Sequence, residues 1–194
     1  MKLVEVARVR TGYPFRAGVR MEPEGKCLLV QAGNIDTDRG EVAGELMRIA
    51  EPPSVHDHVL RYGDVVMVGR GVRNAAAAFI KSDLQAVAAA HLMVLATEGK
   101  TGLPEFLTWF LNLPRTQARL RSLQSGSSVP FVPLEALESI EVPVPSLELQ
   151  RKVVEIQKLR AQEGRLLGEI RSRRRVLVDA TLREAVYRES GEPV

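Results

Sequence analysis

Cysteine is nearly absent from this sequence: Cys27 is the single thiol, which excludes an internal disulfide and suits a reducing cytoplasm. Aromatic residues are scarce too, at 5%. No apolar run approaches the roughly 20 residues needed to cross a bilayer, and the N-terminus lacks the apolar stretch of a signal peptide. The usual enzyme motifs are also missing. There is no P-loop, no Gly-x-Ser-x-Gly elbow, and Gly69-Arg70-Gly71 lacks the third glycine of a dinucleotide fingerprint. Asn112-Leu113-Pro114-Arg115 is a poor stand-in for the Asn-Pro-Pro-aromatic motif of an amino-methyltransferase. His56 and His58 flank Asp57 without cysteines or a third spaced ligand, a pattern more typical of a surface loop than of a metal site. His91 falls in an apolar stretch and reads as a core or edge histidine rather than a catalytic base. No catalytic group, metal or cofactor is expected. The pattern is that of a binding module.

What is present is organised around residues 126–188. Pro143 and Pro145 bias the chain towards extended geometry and cannot donate to a helix ladder, so a helix begins only after them. Ser146 suits an N-cap, with Glu148 in the first turn against the helix dipole. From Leu147 to about Arg188 apolar residues recur at helical spacing: Val153, Ile156, Leu159, Leu166, Ile170, Leu177 and Ala180 form a stripe, joined by Leu149 and Leu167. Such a helix reaches about 60 Å at 1.5 Å per residue, more than the chain's own core needs. The stripe wants a partner helix in coiled-coil-like packing. The seam is imperfect, with Lys152, Glu163, Arg173 and Glu184 at seam positions, and Gly164 and Gly168 sit mid-helix. Those glycines either permit close helix approach or mark a weak point.

Charge follows the same division. Residues 147–188 carry eleven Lys/Arg against six Asp/Glu, an excess of five, whereas the remainder carries 16 against 18. The net +3 therefore resides on the long helix, densest at Arg171 and Arg173–Arg175. A basic run of this kind is either a solvated face or a contact for nucleic-acid phosphate or an acidic partner.

The 194 residues suit one domain plus an extension. Residues 2–9 read as a strand or a short helix, and Thr11-Gly12-Tyr13-Pro14-Phe15 as a turn. Strands are expected over 26–32, 45–49 and 65–68. Further strands over 75–81 and 86–96 form a hairpin across Ser82-Asp83, with helix as the alternative for so alanine-rich a stretch. Pro104 opens one helix and Thr116–Leu123 forms another. The fold class is α+β: a globular domain over 1–145, a long helix over 146–188 and a flexible tail over 189–194.

Several blocks together resemble a known family. Gly126-Ser127-Ser128-Val129 is followed by Leu134-Glu135-Ala136-Leu137 and then by Ile140-Glu141-Val142-Pro143-Val144-Pro145-Ser146-Leu147-Glu148-Leu149-Gln150. This looks like the end of a target recognition domain in the specificity subunit of type I restriction–modification enzymes. Upstream, Leu60–Val66 with Arg70-Gly71 resembles that family's Gly-Asp strand motif, and Pro104-Glu105-Phe106-Leu107 its Pro-x-Tyr-Leu helix. The likeness covers most of residues 1–182. Ser146 departs from the family's second proline. A full member carries two domain-plus-helix halves, each domain reading half of a split DNA site, and this chain has one half. The resemblance implies a half-size specificity protein, or a single-domain relative, serving a methyltransferase partner and pairing by its helix as a homodimer or on partner subunits.

On that reading the protein is a non-catalytic, sequence-specific binder of duplex DNA. Asn34, Arg70, Arg73 and Asn74 are the candidates for base contact, since Arg suits guanine and Asn suits adenine in the major groove. Arg16, Arg20, Lys81 and Arg119 are the candidates for phosphate. The alternative is a protein–protein adaptor that docks on an enzyme without touching DNA.

Overall fold

The structure is a computed structural model, and it describes residues 1–15, 18–80, 83–97 and 102–190. The chain divides into two units, Met1–Glu155 and Ile156–Val194.

The first unit is built on a run of residues buried on both faces. Val65–Val68 (β6) has no exposed side chain, as expected of a strand covered from two sides. Successive side chains point opposite ways. Val66 and Val68 accordingly join one apolar cluster, while Val65 and Met67 join another. β6 lies in a six-stranded sheet with Arg8–Thr11 (β1), Leu92–Ala96 (β9), Ala76–Ala78 (β7), Glu41–Val42 (β4) and Ile35–Asp36 (β3), in the order β1-β9-β6-β7-β4-β3. A three-stranded sheet of Met47–Ile49 (β5), Cys27–Val30 (β2) and Gln85–Ala88 (β8) contributes to the first cluster. Helices Leu3–Val6 (α1), Pro104–Asn112 (α2), Pro114–Ser122 (α3) and Leu134–Glu138 (α4) contribute to the second. The result is three layers of α+β structure.

The expected hairpin between 75–81 and 86–96 does not form. β7 pairs with β6 and β4, whereas β8 pairs in parallel with β2 in the other sheet. The long strand over 86–96 is two strands, separated by a turn at Ala90-His91. Their residues are almost all buried, so no two-residue alternation marks which sheet they join. His91 thus lies in a turn, where its carbonyl accepts the Gly69 N–H at 3.0 Å. The alanines of β7 leave room for α2, and Asn112 uses that proximity: its side-chain amide accepts from the Ala76 N–H at 3.0 Å and donates to the Ala76 carbonyl at 2.8 Å.

Leu147–Ser190 is one helix (α5) of 44 residues. Its start is as expected, with Ser146 Oγ accepting the Leu149 N–H at 3.3 Å. Gln150 anchors the first turn. It is 1% exposed, accepts from the Leu103 N–H at 2.9 Å and donates to the Pro145 carbonyl at 2.9 Å. In the second unit the expected stripe is solvent-exposed, from Ile156 and Leu159 through Leu166, Ile170 and Leu177 to Ala180, while Val153 in the first unit is half-buried. Among the described residues no helix is long and apolar enough to cross a membrane.

Candidate nucleic-acid interface

The loop 69–74 that follows β6 is held in place by hydrogen bonds from other segments. The Val132 N–H donates to the Gly69 carbonyl at 2.9 Å and the Gly71 N–H to the Pro130 carbonyl at 2.8 Å, which makes Arg70 and Phe131 an antiparallel pair. Pro130 has no N–H to return to Gly71. Gln124 Nε2 takes its place, donating to the Gly71 carbonyl at 2.8 Å and to Asn74 Oδ1 at 3.0 Å. Gln117 Nε2 donates to the Asn74 carbonyl at 2.8 Å. Gly71 has φ of 125°, a conformation that only glycine adopts without strain.

This scaffold separates the predicted base-contact residues. Arg70 and Arg73 are exposed. The Arg70 guanidinium lies 6.0 Å from the Phe131 ring centroid, and Arg73 donates to Thr37 Oγ1 at 3.1 Å, tying the loop to the 37–40 turn. Asn74 faces inward. It is fully buried, and its Nδ2 donates to the Val68 carbonyl at 2.9 Å, so its amide is occupied in supporting the loop. Asn34 is similarly engaged: its Oδ1 accepts the Gln31 N–H at 3.0 Å, and its Nδ2 donates to the carbonyls of Ala43 and Glu45. Of the two asparagines proposed for adenine, Asn74 is buried and Asn34 half-buried, and both amides are hydrogen-bonded within the protein. Sequence reasoning missed Gln124 and Gln117, because nothing local marks a glutamine whose loop partners lie 43 to 53 residues away.

Of the predicted phosphate contacts, Arg20 and Arg119 are exposed, while Arg16 and Lys81 lie outside the described residues. Arg119 and Arg115 on α3 line a cleft of about 710 Å³ with Trp109, Glu141 and Pro143. At the other end of β6, Arg10 donates to the carbonyls of His58 and Val59 and lies 3.7 Å from Asp64. Burial pushes the Asp64 carboxyl up from its ordinary value despite the Arg61 N–H that it accepts and the nearby Arg10. Burial likewise pushes Arg10 down, against the pull of Asp64. This pair braces the Gly63-Asp64 turn. His58 sits edge-on to Tyr13 with ring centroids 5.2 Å apart, and no group of three potential metal ligands occurs among the described residues.

No protein-family model and no curated protein matches the chain. Solved structures do. Over 95% of its length the chain matches one from the "complex assembly and conformational transition of the type I R-M system", at 19% identity and a TM-score of 0.66. It also matches the HsdS subunit from Thermoanaerobacter tengcongensis over 96% of its length (22% identity, TM-score 0.55). The S subunit of the type I restriction–modification system from M. genitalium is similar over 97% (14% identity, TM-score 0.57). The chain has the fold of type I restriction–modification specificity subunits: an α+β domain followed by a long C-terminal helix. It spans 44%, 46% and 47% of those three chains, less than half of each.

Proposed function

We propose that this protein is a non-catalytic, sequence-specific DNA-binding subunit of a type I-like restriction–modification complex. Its first unit reads one half of a split site, and α5 pairs with a second helix. The observation that carries this reading is the loop 69–74. It presents Arg70 and Arg73 to solvent from a backbone tied down at Gly69, Gly71 and Asn74, within a fold otherwise seen in specificity subunits. A rigid loop bearing exposed arginines can meet guanine edges at little entropic cost. Arg20 and Arg119 serve phosphate.

The exposed stripe of α5 supports pairing in coiled-coil fashion, either with a second copy or on a modification (methyltransferase) subunit. Selection of duplexes from a randomised pool by the full chain, alone and with a modification subunit, tests the reading. Enrichment of a defined half-site, with affinity lost in Arg70→Ala, is the expected result. If no duplex is enriched while a modification subunit is bound, the protein is an adaptor instead. Light scattering of the chain alone distinguishes the homodimer from a monomer that docks only on partners.

A further inference from the structure

The loop surface exposes two aliphatic side chains that the scaffold does not use. Val72 is 76% exposed and Val129 60%. The Gly71 N–H bonded to the Pro130 carbonyl at 2.8 Å joins the residue before Val72 to the residue after Val129, which brings the two segments together beside the Arg70–Phe131 bridge. Both lie next to anchored backbone, since Gly71 is bonded to Pro130 and Gln124, and Gln124 also holds Asn74. Their exposure therefore belongs to an ordered surface, flanked by the cationic side chains of Arg70 and Arg73. A cationic rim draws in a polyanion, and the apolar group that duplex DNA displays in its major groove is the thymine C5-methyl.

Resting on the reading that this surface binds duplex DNA, we propose that Val72 and Val129 form a methyl-reading pair and that the half-site contains a thymine seated against them. The arginines set position and read guanine, while the valines discriminate thymine by burying its methyl.

The test replaces thymine with deoxyuridine, which lacks only that methyl, at each position of a duplex selected by the full chain. At one or two positions the substitution lowers affinity about fourfold, the value of one buried methyl-sized group. The Val72→Ala, Val129→Ala double variant brings that ratio to near one, whereas Val72→Thr keeps a γ-methyl and retains a ratio above one. Both valines are exposed, so thermal melts of the variants match the parent and folding does not confound the result. Equal affinity for thymine and deoxyuridine at every position overturns the inference, as does a ratio unchanged in the double variant. In either case the DNA-binding reading stands. If no duplex is enriched at all, that reading and this inference fall together.

Discussion

Within the 69–74 loop, Asn74 is buried in the support of the loop and Arg70 is exposed. The Asn74 amide donates to Val68 and accepts from Gln124, while Arg70 faces solvent above Phe131. Gln124→Ala therefore leaves the Gly71 carbonyl and Asn74 Oδ1 without that donor, at a cost of about 1–3 kcal/mol in stability. DNA affinity falls with it, although no DNA contact has been removed. Denaturant unfolding and a binding titration on the same variant check both outcomes, and an unchanged midpoint would sink the bracing role. Asp64 yields a pH prediction. Burial raises its carboxyl in the folded state, so above about pH 4 the folded chain holds a proton that the unfolded chain has released. Stability then falls as pH rises through that window and levels off once the folded value is passed. Asp64→Asn removes this slope, so the stability of the variant relative to the parent increases with pH and then becomes constant. Thermal melts at stepped pH for both proteins measure it. A difference that shrinks with rising pH would contradict the assignment.

At the scale of the element, α5 is a helix with two different halves. Its first turn is fixed by Gln150, whose amide is buried and bonded at both ends. Gln150→Leu strands the Leu103 N–H and the Pro145 carbonyl, and unfolding of the first unit should become easier by about 1–3 kcal/mol. Further along, Gly164 and Gly168 have open space where a Cβ would stand. Alanine at each stabilises the helix by about 1 kcal/mol, read as increased helicity by circular dichroism. If pairing depends on close approach at these glycines, the same substitutions weaken the oligomer seen by light scattering. An oligomer that is unchanged or tightened assigns the glycines to helix weakness alone. The four charged seam positions are exposed, and two of them form i, i+4 ion pairs, Lys152 with Glu148 and Glu184 with Arg188.

For the whole molecule, the net charge of +3 understates the positive field, because the excess sits on residues 147–188. On the proposed reading, the first unit would bind through a few arginines in a nearly neutral surround. Nonspecific affinity should be weak and should fall with salt, by about 0.9 in log K per log salt for each phosphate contact. Arg119→Ala lowers that slope by about one while leaving sequence preference intact. A slope unchanged in the variant would remove Arg119 from the phosphate set. A homodimer through α5 would read a palindromic split site, since two-fold protein symmetry is mirrored in the DNA, and selected duplexes test this by their symmetry.

The sequence by itself determined the features that depend on near neighbours. Prolines 143 and 145 placed the start of α5, Ser146 capped it, and apolar spacing laid out its stripe. The β-branched run at Val65–Val68 specified the buried strand, and Pro104 the start of α2. The motif blocks indicated the family fold, although no solved neighbour given above exceeds 22% identity. Only the tertiary structure decided pairing and orientation. Strands as fully buried as β8 and β9 lack the alternation that would assign them to a sheet, so the predicted hairpin gave way to a parallel partner at Cys27–Val30. Whether an asparagine faces a ligand or the core depends on partners distant in the chain. Asn74 turned inward because Gln124 and the Val68 carbonyl were there to satisfy its amide, and a hydrogen bond across 50 residues leaves no local trace in sequence.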